Sequence, residues 1–180
     1  TAIAFRYSDD VVVENAAILN TGDGVSFGED VSNWTLRSSY INRTMDDAVE
    51  NDYLETGLID DVLIDHTYAF VSSRTGSSRR NESYPGGVVT VQNSIVRLAP
   101  QNDADGGFSG GRLWKWEKYA QEPAKLVVKN NIFVFEEGDF NNFYLDPADD
   151  KDIDYSPLLE AEGNIVVWLG RGSFPARVPA

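Results

Sequence analysis

The sequence predicts an all-β solenoid, in which short parallel strands stack coil upon coil. Three observations lead there. First, an extended phrase with a polar residue at its centre recurs in order. It reads VVVENAAIL from Val11, TLRSSYI from Thr35, LIDHTYAF from Leu63, VTVQNSIVRL from Val89, KLVVKNNIFVFE from Lys125 and GNIVVWL from Gly163. Recurrence of one extended unit at intervals of tens of residues marks a solenoid. Second, the apolar positions fall in runs and alternation without helical spacing, and Val, Ile, Tyr, Phe and Thr dominate them. Third, Gly- and Asn-rich clusters separate the phrases: TGDG from Thr21, SSRTGSSRRN from Ser72, PGG from Pro85 and DADGGFSGG from Asp103.

Taken in order, TAIAFRY (1–7) already reads as a strand. The next units align on their polar centres Asn15, Ser38, His66, Asn93 and Asn130. The first interval is well supported: Val13 falls on Leu36, Ile18 on Ile41, Thr21 on Thr44 and Asp23 on Asp46. At the second, Leu36 falls on Ile64 and Tyr40 on Tyr68. TMDDAVEND, from Thr44, could form one short helical turn. The interval 99–125 is expected to be a long loop inserted between coils. Strands stacked in parallel lie ~4.8 Å apart, so equivalent residues form columns. In such a column Asn15, Asn93 and Asn130, with Ser38 and His66 in their place, are expected to form a hydrogen-bonded ladder that satisfies turn backbone groups.

With 180 residues and 42% apolar content the chain can bury one core and is read as a single domain over 1–180. A net charge of -14 disfavours nucleic acid and anionic membranes as partners. The absence of cysteine excludes a disulfide scaffold, a Cys-based zinc site and a thiol nucleophile. Neither terminal stretch carries the polar cap that a solenoid needs. The chain is therefore expected to be part of a longer solenoid or to be covered at its ends by self-association or partner chains.

The phrase order VVVENAAIL, NTGDGVSF, MDDAVEND, VLIDHTY, VTVQNSIVRL and LVVKNNIFVF resembles the right-handed parallel β-helix proteins of the pectate-lyase-like superfamily. That resemblance implies an all-β, right-handed parallel β-helix of about five to six coils, a carbohydrate partner and a secreted or cell-surface location. The fold hosts several activities, so chemistry has to be argued from particular residues.

The strongest candidates are acidic. The alignment places Asp23, Asp46 and Arg74 in one column with Asp47 beside them. Two carboxylates on adjacent coils push their pKa values apart and can serve as acid and base, the pair a glycoside hydrolase needs. The motif order NTGDG (Asp23), MDD (Asp46 and Asp47), IDHT (His66) and SIVR (Arg97) is similar to the polygalacturonase-like branch, and implies catalytic roles for those acids and His66. Here a Gly separates Asn-Thr from Asp23, His66 lacks flanking glycines, and no Lys follows Arg97. As the lone histidine, His66 reads as a ladder residue ahead of a catalytic base. Asp46, Asp47, Glu50, Asp52, Asp60 and Asp61 crowd one region, and Ca2+ is the cofactor such oxygens could take. Arg74 and Arg97 are candidates to hold a substrate carboxylate. In RLWKWEKY, Trp114 and Trp116 could stack on sugar rings, or lie on one face of a strand against the core. Two functions follow: a hydrolase or lyase on acidic glycans, or a non-catalytic glycan-binding or assembly protein with Trp114 and Trp116 as contacts.

Overall fold

The computed structural model describes residues 1–73, 86–98, 101–102, 108–109, 112–116, 124–135 and 159–171. Among them every regular element is a β-strand. A five-stranded sheet runs in the order Ile3–Phe5, Val25–Phe27, Asp47–Asn51, Ala69–Ser73 and Arg112–Trp116. A curled ten-stranded sheet gathers the rest of the repeated phrases, with the long strands Trp34–Thr44 and Gly57–Thr67 near its middle. All pairings in both sheets are parallel. Among the described residues the one antiparallel pair is Gln101–Asn102 with Phe108–Ser109. Parallel strands stacked in register at intervals of tens of residues are compatible with a β-solenoid.

Register makes the core continuous. Val13, Leu36, Ile59, Val91 and Val128 form one inward column, and Ile18, Ile41, Ile64, Val96 and Phe133 a second. Val25, Val49, Val71 and Trp114 form a third in the five-stranded sheet. Every member of these columns is buried. Each Val, Leu, Ile or Phe so placed contributes about 1.5–3 kcal/mol of apolar burial. Phe5, Phe27 and Trp34 add an aromatic stack, with Phe27 and Trp34 ring centroids 4.3 Å apart. Trp34 lies over Gly57, its register partner. A Cβ there would sit 2.0 Å from the indole, so only glycine admits the ring.

The corners repeat as strictly as the strands. Asn15, Ser38, Asp61, Asn93, Asn130 and Gly163 share one column, and all have φ between 46° and 66°. That left-handed conformation favours Asn, Asp and Gly, which explains the composition of the column. Inside it, one residue further on, lies a buried polar ladder. Ser39 Oγ accepts the Ala16 N–H at 3.1 Å, Ser94 Oγ the Val62 N–H at 3.2 Å, and Asn131 Oδ1 the Ser94 N–H at 2.9 Å. Asn164 Oδ1 accepts the Asn131 N–H at 3.0 Å, while the Asn131 and Asn164 amides donate to Val91 O and Val128 O.

The structure corrects four expectations. Leu36 stacks on Ile59 and Tyr40 on Leu63, five residues from the expected partners Ile64 and Tyr68. The ladder is Ser39, Ser94, Asn131 and Asn164, whereas Asn15, Asn93 and Asn130 are the exposed left-handed residues outside it. His66 belongs to a different corner. TMDDAVEND contains the strand Asp47–Asn51 in place of a helical turn. The interval 99–125 supplies the strand Arg112–Trp116, so part of it belongs to the five-stranded sheet.

Candidate functional site

A one-residue bulge builds the site. Thr21 pairs with Thr44 but Val25 pairs with Val49, so the interval grows from 23 to 24 residues and one strand carries an extra residue. The Asp46 N–H donates to Gly22 O at 2.9 Å, which sets Asp46 opposite Asp23. The Gly24 N–H donates to Asp47 O at 2.9 Å, and Ala69 stacks on Asp47. Two consecutive aspartates therefore face one, and bulges re-aim side chains in this way. Oxygens of Asp23, Asp46 and Asp47 lie within 4.8 Å of one another. Asp46 is exposed, Asp23 is half-buried, and the Asp47 side chain keeps 6% of its surface.

Lys115 supplies the counter-charge. Its ammonium contacts Asp46 Oδ1, lies 2.8 Å from Asp47 Oδ1, and sits 5.3 Å from the centre of the Tyr68 ring. Asp47 Oδ1 is buried, and the Lys115 ammonium is its partner. Burial pushes the Asp47 carboxyl up to about 6, with help from Asp46 and Asp23 and against the pull of Lys115. Burial would lower the Lys115 pKa, but the charge of Asp47 and hydrogen bonds to both aspartates outweigh it and raise it. Glu50 shares the face, in the column Ser26, Glu50, Ser72 and Lys115. Its carboxyl is raised to about 7 by burial and by the charges of Asp52, Asp23 and Asp47, with Ser26 opposing. A carboxyl that keeps its proton towards neutral pH beside carboxylates 4.8 Å away or less is an acid–base arrangement. Asp23, Asp46 and Asp47 could also hold a divalent cation, but the Lys115 ammonium would first have to withdraw from Asp46 and Asp47.

The structure brings together Asp23, Asp46 and Asp47 and places His66 and Arg97 on the other sheet. His66 sits at the left-handed corner of Asn20 and Arg43, on the ten-stranded sheet. Its Nδ1 lies 3.1 Å from Asp65 Oδ1, and Arg97 Nη2 lies 2.8 Å from its Nε2. Arg97 Nε is 2.7 Å from the same Asp65 oxygen, so Arg97 is directed at Asp65 and His66 and not at the acidic cluster. Asp60 and Asp61 lie on the strand Gly57–Thr67 of the ten-stranded sheet, where Asp60 accepts from Asn93, and they leave the expected six-acid group. Arg74 lies outside the described residues; Ala69 stacks on Asp47. Trp114 is in the core against Phe70 and Phe133, and Trp116 Nε1 donates to Ala124 O at 2.6 Å. Of the two expected arrangements for these tryptophans, the strand arrangement describes where they lie.

Sequence reasoning did not place Lys115 with the aspartates and gave Glu50 only a metal-binding part. The signal for Lys115 was present: if Trp114 and Trp116 face inward along one strand, the residue between them faces out. No protein-family model matches the sequence, and comparisons with curated proteins and with solved structures give no significant match.

Proposed function

We propose that the chain is a right-handed parallel β-helix of about five to six coils that hydrolyses a polysaccharide, in a secreted or cell-surface setting. One observation carries this reading: the buried Asp47 carboxyl, held protonated to about pH 6 next to the carboxyls of Asp46 and Asp23. Asp47 would give its proton to the leaving glycosidic oxygen. The exposed Asp46, paired with Lys115, would attack the anomeric carbon from the other side. Water, deprotonated by Asp47, would then release the sugar. Oxygens within 4.8 Å fall closer to the ~5–5.5 Å carboxyl separation of retaining enzymes than to the ~6.5–9.5 Å of inverting ones. Elimination is the poorer fit, because an ammonium held by two aspartates is a weak base for abstracting a proton.

The test is release of reducing ends from a panel of polysaccharides, with ultraviolet absorbance of unsaturated uronate read in parallel. Reducing ends without unsaturation are expected, with a loss of about 10²–10⁴-fold in Asp47→Asn. Absence of turnover by correctly folded protein, or turnover unchanged in Asp47→Asn, would reject the reading. A non-catalytic binding or assembly role is favoured by one other observation. Leu63, Ile95 and Ile165 form an outward apolar column along the ten-stranded sheet, 43–57% exposed.

A further inference from the structure

We infer that this site selects a glycan free of carboxylates and turns away uronate-rich chains. The inference rests on the hydrolase reading above and names the substrate class of the same site. It departs from the acidic glycan that the sequence resemblance implies.

The charge of this face carries it. Among the described residues the face around Asp47 presents four carboxyls: Asp23, Asp46, Asp47 and Glu50. It presents Lys115 against them, whose ammonium is already shared between Asp46 and Asp47, and the Thr1 ammonium, 3.6 Å from Asp23 Oδ2. The buried Asp47 Oδ1 lies 2.8 Å from the Lys115 ammonium, so that cation is committed before any ligand arrives. A bound uronate would bring another anion into that half-buried setting, where charges interact more strongly than in water. Recognition of a uronate calls for a free cation, preferably a forked guanidinium. Of the two arginines expected for that task, Arg74 lies outside the described residues, and Arg97 lies on the other sheet and is directed at Asp65 and His66. Lys115 cannot take the task over without abandoning the two aspartates that the hydrolase reading uses. The net charge of -14 acts in the same direction during approach, within a Debye length of ~8 Å at physiological salt.

The experiment uses pairs of polysaccharides that differ in charge alone. Suitable pairs are polygalacturonate with its fully methyl-esterified form, mannuronan with mannan, and glucuronan with the matching glucan. Reducing-end release is measured at low salt with chelator and again with Ca2+. Binding is read independently, by retardation of the Asp47→Asn protein in gels containing each polymer. The neutral member should be favoured at least tenfold in turnover and in retardation, and added salt should narrow the gap. Asp23→Asn with Asp46→Asn should narrow the binding gap too. A carboxylate member cleaved or retarded as well as its neutral counterpart, with or without Ca2+, overturns the inference and leaves hydrolysis standing. Retardation by neutral members without any turnover rejects hydrolysis and upholds the charge selection. Neither retardation nor turnover rejects both.

Discussion

Two polar regions of this chain are built from similar residues and are treated in opposite ways. At the inner corner Ser39, Ser94, Asn131 and Asn164 are buried or half-buried, and each is hydrogen-bonded to backbone along the stack. On the five-stranded sheet Asp47 is as deeply buried, yet it is held by the Lys115 ammonium and three further carboxyls crowd it. Polar groups satisfied by backbone hold architecture, whereas a buried carboxyl crowded by others stores a pKa shift that chemistry can use. The difference divides the polar residues of a repetitive fold into those that make the repeat and those that interrupt it. The acidic site sits where the 23-residue interval becomes 24, at the bulge.

The contrast breaks first if the ladder proves dispensable. Asn131→Ala would strand the buried Ser94 N–H and Val91 C=O that its side chain satisfies. An unsatisfied buried group costs about 1–3 kcal/mol, so the variant should lose about 2–5 kcal/mol in urea unfolding. A loss below about 1 kcal/mol would mean that water or neighbouring groups replace the amide, and that the ladder does not hold the corner.

The site should respond with the opposite sign. The Asp47 carboxyl has an ordinary pKa of 3.8 in the unfolded chain and is raised to about 6 when folded. The folded state therefore binds this proton more tightly. Its contribution to stability is full below the unfolded pKa and is lost as pH rises through about 6, a change of about 3 kcal/mol. Asp47→Asn cannot titrate. Relative to wild type, it should gain about 2 kcal/mol of stability between about pH 4 and about pH 7.5, measured by urea midpoints at each pH. An unchanged difference across that interval would place the Asp47 pKa near its ordinary value and remove the acid from the proposed pair.

Much of the fold was legible because a parallel stack repeats its inward residues. Val13 on Leu36, Ile18 on Ile41 and Thr21 on Thr44 follow from one offset and are observed. The third unit misled for a physical reason. Leu-Ile-Asp occurs twice, at 58–60 and at 63–65, so apolar pattern alone permits two registers five residues apart. Taking His66 as the anchor selected the wrong one. The left-handed corner is filled in turn by Asn, Ser, Asp, Asn, Asn and Gly, and it is marked by conformation more than by residue identity. The same point explains why the ladder was placed one residue early: Asn130 and Asn131 are both Asn, and only backbone geometry separates the corner from the ladder. In the site, Asp23 and Asp46 were legible as a column. The outward placement of Lys115 was legible from its flanking tryptophans, but its contact with Asp46 was not, because it spans 69 residues and no periodicity encodes it.

The smallest effect sharpens the comparison from outside both regions. Arg37 and Glu14 are register partners on the exposed face, joined through Nε at 2.8 Å and Nη2 at 2.6 Å. Both side chains are about half exposed. The pair has good geometry and the same cross-strand placement as the ladder bonds, but water is available to either partner once the other is gone. An exposed pair of this kind contributes about 0.2–1 kcal/mol and is screened by salt. Glu14→Gln should therefore cost at most about 1 kcal/mol in urea unfolding, and about 1 M salt should remove most of that cost. A larger, salt-independent loss would show that register between neighbouring strands depends on surface charge as well as on the inner ladder. In that case burial alone would not separate the residues that hold the stack from those that decorate it.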